Sequence, residues 1–351
     1  MRGELSIAKT AAGLAAVCLV SFGQAAAYAA GGTLLSANRN GGSVSFFDMP
    51  TGIEIARVPV GPAIPHEVSV SPDGRFALTS EYGPDDNQGR HIILIDVASA
   101  SIVSRIDVGP DSRPHSVQFL PDGKRAVATM QESDQIALVD LEDGKVVRSY
   151  PTGGREGHMV RLSPDGRRAY VTSRGAEGTL SVIFLDEDRD PVVIPTGAGA
   201  EGLAVTPDGK EVWVANRAET SISIIDTQAL EEVARLESRP SAGRIEISAD
   251  GAYAVVPNGG LGATVPQYLR LYDVRARRLL KEVPLREGEA GGGNFGIWIH
   301  GNEVYASDPN QGSIQVFRLD DLADRTVLVA HHDAPDGMAW SPLRVNAMTA
   351  E

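Results

Sequence analysis

Hydrophobic and polar residues alternate in short segments along most of this chain, and turn residues separate the segments. The alternating segments Met159–Leu162 and Leu203–Thr206 each run into a Pro-Asp-Gly turn, and a second alternating segment follows each turn, at Arg168–Thr172 and Glu211–Ala215. Alternation with a period of two, interrupted by tight turns of this type, predicts antiparallel β-hairpins. We therefore predict a chain built almost wholly of short β-strands.

The same unit recurs with a period of roughly 40 residues, which is typical of repeat architectures. Its turns are marked by Asp73, Asp122, Asp165, Asp208 and, in a degenerate copy, Asp250; a sixth copy is eroded to His300-Gly301-Asn302 and a seventh begins at Asp336.

The start of the repeated region supplies the strands that the seventh copy lacks. The segments Leu34–Ala37, Ser43–Phe47 and Glu54–Val60 precede the first complete copy without a first strand of their own. If the C-terminal strand joins these three, seven blades of four antiparallel strands close into a ring with no open edge. We predict an all-β, seven-bladed β-propeller that occupies residues 31–351 as one domain.

Residues 1–30 have the composition of a secretory signal peptide. Arg2 and Lys9 precede the apolar run Thr10–Phe22, which is too short to span a bilayer, and Ala27-Tyr28-Ala29 offers a small-residue cleavage site. The only cysteine, Cys18, lies in this segment, so disulfide and thiolate chemistry are not expected in the mature chain. We expect a periplasmic or secreted protein with no membrane span after cleavage.

The formal net charge of −14 makes nucleic acid an unfavourable partner. An acidic chain without a basic run repels phosphate backbones, so we do not expect it to bind nucleic acid. The expected partners are a small molecule or another periplasmic protein, and we expect the chain to act as a monomer.

Two of the repeats resemble a known family. Tyr170-Val171-Thr172-Ser173 and Trp213-Val214-Ala215-Asn216, each after a Pro-Asp-Gly turn, are similar to the YVTN-type, WD40-like propeller repeat of secreted bacterial and archaeal proteins. The resemblance covers Thr33–Pro342 and implies the propeller fold. It does not imply one function, because the family includes surface proteins, periplasmic binding proteins and enzyme-like relatives.

One position of the repeat carries most of the candidate chemistry. In a propeller, the residues just before each first strand meet around one mouth of the central channel. The position seven residues before each turn aspartate, or its aligned equivalent in the last two repeats, holds in blade order His66, His115, His158, Glu201, Gly243, Gly293 and Asp336. Neutral imidazoles from adjacent blades are suitable ligands for Cu, Zn, Fe or Ni, so the three histidines are a candidate metal site. Glu201 and Asp336 are candidate catalytic bases. The alternative is that repetition alone placed these residues here, with a structural role.

The loops after the second strands open on the same face and form a candidate ligand-binding set. They carry Arg39, Glu81, Gln131, Arg174, Arg217 and Asp308. Arg174 and Arg217, on adjacent blades, are placed to hold a carboxylate or phosphate. The alternative is that each pairs with a neighbouring acid, Glu177 or Glu219. Three insertions should emerge on this face as a lid or partner surface: Tyr82–Arg90, Pro257–Gln267 and Arg286–Asn294.

Three hypotheses about function follow. The first is an exported propeller that binds a small ligand, a metal ion or a protein at the channel mouth bearing the histidines. The second is a metal-dependent enzyme of the lactonase, lyase or oxidase type that uses the same residues. The third is a propeller that binds a redox cofactor or a redox partner.

Overall fold

The computed structural model describes residues 31–49, 51–61, 63–258, 267–285, 296–323, 326–329 and 333–346 of the 351. The predicted signal peptide lies outside these residues, as do Gly293 and most of the insertions Pro257–Gln267 and Arg286–Asn294. No helix in the described part of the chain is long and apolar enough to cross a membrane.

The described strands form seven sheets of four antiparallel strands each, which confirms the predicted fold. Blades 1 to 3 are built from β4 (Val68–Val70), β5 (Phe76–Ser80), β6 (His91–Asp96) and β7 (Ser101–Asp107); β8 (Pro114–Phe119), β9 (Arg125–Met130), β10 (Gln135–Asp140) and β11 (Lys145–Pro151); β12 (Gly157–Leu162), β13 (Arg168–Ser173), β14 (Thr179–Phe184) and β15 (Val192–Pro195).

Blades 4 to 6 follow in chain order. They are built from β16 (Ala200–Val205), β17 (Glu211–Asn216), β18 (Ser221–Asp226) and β19 (Glu231–Glu237); β20 (Glu246–Ile247), β21 (Tyr253–Asn258), β22 (Tyr268–Asp273) and β23 (Arg278–Pro284); β24 (Ile297–His300), β25 (Glu303–Asp308), β26 (Ser313–Arg318) and β27 (Thr326–Val329).

Blade 7 joins the two ends of the described chain. Its inner strand is β28 (Pro335–Ser341), and its other strands are β1 (Gly32–Asn38), β2 (Ser43–Met49) and β3 (Ile53–Pro59). β28 pairs with β1 in the register Leu34↔Trp340 and Leu35↔Ala339. The predicted ring closure is therefore present.

The hydrophobic core is divided into clusters that lie between neighbouring blades. In the cluster between blades 7 and 1, for example, Leu35 and Phe46 pack with Ala77 and Ile93, and all four side chains are fully buried. Each blade buries both of its faces in this way, because the alternating side chains of a strand point to opposite sides of the sheet. The outer strands are more polar and partly exposed, as in β19, where exposed and half-exposed residues alternate.

The Pro-Asp-Gly turns have a clear local cause. In the blade 3 turn, Asp165 Oδ1 accepts hydrogen bonds from the Ser163 hydroxyl at 2.6 Å and the Arg167 N–H at 3.0 Å. Gly166 then adopts a φ of +69°, and a Cβ there would lie 2.5 Å from Pro121 Cδ of the preceding blade. Glycine is required because the backbone is left-handed and the neighbouring blade is too close for a side chain.

Candidate functional site

Three histidines and two carboxylates form a continuous row around one channel mouth. His66, His115 and His158 enter the first strands of blades 1 to 3, and their ring centroids are 4.5 Å and 3.8 Å apart in sequence order. At one end, Asp336 Oδ2 lies 3.2 Å from His66 Nδ1. At the other end, Glu201 Oε1 lies 3.3 Å from His158 Nε2. The structure thus brings together all five of the residues predicted as metal ligands or bases.

Hydroxyl groups hold the backbone of this row in place. On three consecutive blades, a Ser or Thr of the second strand donates a hydrogen bond to the backbone carbonyl of the row residue on the next blade. The donor–acceptor pairs are Ser80–His115 at 2.9 Å, Thr129–His158 at 2.9 Å and Thr172–Glu201 at 2.5 Å. The row is therefore attached to a rigid sheet scaffold, and its spacing is set by the distance between blades.

Three arginines surround the row. Arg174 Nη1 is 3.7 Å from Glu201 Oε2, and Arg217 Nη1 is 3.5 Å from Glu201 Oε1. On the opposite side, Arg39 Nε is 3.6 Å from Asp336 Oδ2. These separations exceed those of ordinary N–H···O hydrogen bonds, so the ion pairs are loose. The rim pairing considered as an alternative is not what these contacts show, because Arg174 and Arg217 both turn inward to Glu201.

Arg244 crosses the channel beneath the row. Its Nη2 lies 2.5 Å from Glu67 Oε1 and 3.2 Å from Asp336 Oδ1, and its Nη1 lies 2.7 Å from Met159 Sδ. Gly202 makes room for it, since a Cβ there would be 2.7 Å from the Arg244 Cα. Burial raises the pKa of Glu67 in spite of the attraction of Arg244. The guanidinium thus ties blade 5 to blades 1 and 7 at the channel axis.

Burial keeps the three imidazoles neutral near pH 7. It lowers the pKa of His66 although Asp336 acts in the opposite direction, and it lowers the pKa of His115 well below the ordinary value. It lowers the pKa of His158 to about 4, even beside Glu201. Neutral histidines keep a nitrogen lone pair for a proton, a ligand or a metal ion.

The two carboxylates of the row remain ionised. Burial opposes ionisation of Glu201, but His158 and Arg217 outweigh it and hold the pKa of this carboxyl well below its usual range. Burial also opposes ionisation of Asp336, yet Arg244 in particular lowers the pKa of Asp336 to about 2. Each carboxylate therefore acts at neutral pH as a fixed negative charge beside an imidazole.

The other predicted ligand-binding residues lie in different places. Gln131 belongs to the site, because its Oε1 is 3.4 Å from His158 Nδ1. Glu81 is further out, with its Oε2 2.5 Å from His91 Nδ1. Asp308 is fully buried and accepts backbone N–H groups from the turn after β25, so it caps that turn.

Tyr82 is a site residue that the sequence reading missed. Its ring meets those of His66 and His115 edge-on, with centroids 4.7 Å and 5.3 Å away. The signal for it is its spacing, since Tyr82 stands nine residues after its turn aspartate, as Arg174 and Arg217 do. The insertion that follows β5 hides this equivalence and points to Glu81 instead.

Glu67 and Arg244 were also missed, and their signal is weaker. Glu67 directly follows His66. Arg244 directly follows Gly243, which stands at the same position of the repeat in blade 5. Both lie where the first strand of their blade enters the channel. The equivalent position is uncharged in four other blades, which have Ser116, Met159, Gly202 and Gly337 there. Only the closed ring shows that the two charged side chains meet across it.

The three histidines and Glu201 of the row line, with the arginines, a cavity of about 260 Å³ at the channel mouth. Its walls are formed by Arg39, His66, Tyr82, His115, His158, Arg174, Glu201, Arg217 and Arg244. Four arginines thus line the cavity, and Glu201 is the acidic residue on its wall.

The geometry of the row bears on metal coordination. Within the described ranges, no three His, Cys, Asp or Glu side chains are arranged so that they could hold a metal ion. The imidazoles lie across one another, tilted by 31° and 40°, and the outer two each have one nitrogen beside a carboxylate. Metal binding by His66, His115 and His158 stays a prediction.

Comparisons with known proteins agree with the fold. A family model described as "Lactonase, 7-bladed beta-propeller" matches residues 3–260. The chain is 28% identical to hydrazine synthase subunit beta of Kuenenia stuttgartiensis over 46% of this chain and 53% of that protein, so it spans about half the length of this curated relative.

Two solved structures show the same architecture. Kuenenia stuttgartiensis hydrazine synthase matches with a TM-score of 0.64 and 19% identity, over 74% of this chain and 77% of that chain. A functionally unknown protein from Desulfotomaculum acetoxidans matches with a TM-score of 0.69 and 18% identity, over 88% of this chain and 99% of that chain. At these identities the likeness concerns the fold alone.

Proposed function

Because this chain belongs to the family of seven-bladed β-propeller lactonases, we propose that its arginine-lined channel mouth binds a small organic anion. The observation that carries the proposal is the loose pairing of Arg174 and Arg217. Both approach Glu201 no closer than 3.5 Å, and both line the cavity. Guanidinium groups held in place but not tightly paired retain N–H donors for a carboxylate or phosphate.

The charge balance of the cavity supports an anion. Four arginines line it, whereas Glu201 is the carboxylate on its wall and Asp336 lies behind His66. The histidines are neutral because burial lowers the pKa of each one. An anion would therefore enter a site with a positive excess, and its affinity would fall as salt screens the arginines.

Calorimetric titration with 4-hydroxybutyrate, a small hydroxy acid, tests this proposal. We expect binding that weakens at least tenfold in Arg174→Gln and in Arg217→Gln. Arg148→Gln is the matched control, because Arg148 pairs with exposed Asp188 on the outer surface. No measurable binding by the parent protein, or equal affinity in all three variants, would contradict the proposal.

A second candidate function is hydrolysis of a lactone at the same place, and the pairing of His66 with Asp336 favours it. With Nδ1–H donated to the carboxylate, His66 Nε2 keeps its lone pair and can accept a proton from water. The water oxygen would add to the acyl carbon, the ring C–O bond would break, and the leaving alkoxide would take the proton back from His66. The arginines would stabilise the negative charge on the acyl oxygen.

Hydrolysis of γ-butyrolactone, followed by proton release, distinguishes this candidate from binding alone. His66→Gln should reduce kcat at least a hundredfold if His66 is the base, while 4-hydroxybutyrate still binds. Turnover unchanged by this substitution would eliminate His66 as the base.

The proposal also includes expectations about metal binding, partners and localisation. Elemental analysis of the untagged protein beside a His66/His115/His158 triple-alanine variant tests whether the row holds Cu, Zn, Fe or Ni. The curated relative is named as a subunit, which supports a protein partner as an alternative occupant of this face. The signal-like composition of residues 1–30 supports action in the periplasm or outside the cell.

A further inference from the structure

The channel has a second chamber on the other side of Arg244. This cavity of about 290 Å³ is lined by the first strands of the blades. Arg244 lines both cavities, and its guanidinium is held between Glu67 and Asp336. Because this ion-pair cluster lies across the axis, the second chamber is separate from the site with the histidines.

The walls of the chamber combine polar and apolar surface in nearly equal parts, and the large side chains supply the apolar part. Phe119, Met159, Trp298 and Trp340 line it together with aliphatic residues of the first strands. Large, flat side chains of this kind bury the body of an aromatic or alicyclic ligand. The volume is close to the lower end of the range for small-molecule pockets, so the ligand must be small.

Arg161 supplies a cation on the wall of this chamber. Its Nη1 donates to the backbone carbonyl of Val160 at 3.1 Å, and its Nη2 lies 4.0 Å from Glu246 Oε2. That distance is too long for a hydrogen bond. Burial raises the pKa of Glu246 to about 7, so this acid is only partly ionised near neutral pH. Glu67, which does line the chamber, is already paired with Arg244.

We propose that this chamber is a second binding site, which takes a small molecule with a flat apolar body and one carboxylate. The carboxylate pairs with Arg161 in place of Glu246, and the body lies against Trp298 and Trp340. This site is independent of the one proposed at the opposite mouth.

Benzoate is the probe, and tryptophan emission is the readout. Two of the three tryptophans of the chain line the chamber, while Trp213 is fully buried in the core between blades 4 and 5. We expect benzoate to change the emission saturably and benzamide, its neutral counterpart, to bind at least tenfold more weakly. Acetate should also bind more weakly, because it lacks the apolar body.

Substitutions on the two partners should act in opposite directions. Arg161→Gln should weaken benzoate binding at least tenfold, and Arg161→Lys should restore part of the loss. Glu246→Gln should tighten binding several-fold, because it removes the competing carboxylate. Near-ultraviolet circular dichroism of each variant establishes that the tryptophans keep their packing.

Arg217→Gln is the control, since it changes only the opposite mouth. It should leave the emission change intact, even if calorimetry shows that it removes a second equivalent of benzoate. No saturable emission change, or a change that Arg161→Gln does not affect, would overturn this proposal while leaving the one at the histidine row standing.

Discussion

At the residue scale, the site is governed by the balance between burial and a few charges. His158 is the clearest case, because it is buried beside an ionised Glu201 and still has its pKa lowered to about 4. Desolvation disfavours the imidazolium more than one carboxylate, itself shared with Arg174 and Arg217, can favour it. The consequence is a base that stays neutral far below physiological pH.

This balance predicts a pH dependence of stability. A histidine whose pKa falls from 6.5 in the unfolded chain to about 4 in the folded one stabilises the protein above pH 6.5 and loses that contribution as the pH falls towards 4. Between pH 7.5 and 5, the stability advantage of the parent over His158→Gln should shrink by about 2 kcal/mol. Urea unfolding of both proteins at the two pH values measures it.

The comparison with the variant isolates this residue. Glu67 and Glu246 have raised pKa values and change the stability in the opposite direction as the pH falls. Their effect is the same in both proteins and cancels in the difference. An advantage that is equal at pH 7.5 and pH 5 would show that His158 titrates normally in the folded state.

At the element scale, the hydroxyl bonds between blades set the geometry of the row. The side chains of Ser80, Thr129 and Thr172 project from the second strands and each reaches a carbonyl of the next blade. They connect neighbouring sheets in addition to the apolar clusters that lie between the blades. A buried carbonyl that loses such a donor has no water to replace it.

Ser80→Ala should therefore destabilise the protein by about 1 kcal/mol. It should also loosen the His115 backbone, because the carbonyl of His115 is the acceptor at 2.9 Å. Ser149→Ala is the control, since Ser149 is exposed on β11, and it should change stability by less than about 0.5 kcal/mol. Chemical unfolding at pH 7.5 measures both, and equal effects would exclude a structural role for the Ser80 hydroxyl.

At the scale of the whole molecule, closure by β28 holds the ring together. β28 supplies Met338 and Trp340 to the cluster between blades 6 and 7, and Ala339 to the cluster between blades 7 and 1. It also carries Asp336 to the row and covers the edge of β1. An exposed edge strand at β1 would invite aggregation.

Two truncations test this role of closure. A chain that ends at Val329 lacks β28 and should be insoluble or unfold without cooperativity, because two inter-blade clusters and the β1 edge are opened. A chain that ends at Asn346 keeps β28 and should unfold like the full-length protein. Size-exclusion chromatography and thermal unfolding distinguish the outcomes, and a monomeric, cooperative product of the shorter chain would show that closure is dispensable.

The strand pattern and the alignment of the three histidines were predictable because both depend on short-range features of the sequence. Alternation, Pro-Asp-Gly turns and a repeat of roughly 40 residues identify the blades, and the same repeat aligns His66, His115 and His158. The equivalence is harder to read where the repeat is interrupted. The insertion after β5 obscures the end of that strand and points to Glu81, whereas Tyr82 lies against His66 and His115.

By itself, the sequence determined the seven blades, their closure and the histidine row, because period-two alternation, turn chemistry and repeat spacing are properties of neighbouring residues. Only the tertiary structure decided what the row does electrostatically. Arg244 of blade 5 meets Glu67 of blade 1 and Asp336 of blade 7 because the ring brings all three to one axis. The pKa values of the histidines are lowered by burial, and those of Glu201 and Asp336 by the charges beside them. Both exist only after the blades have packed against one another.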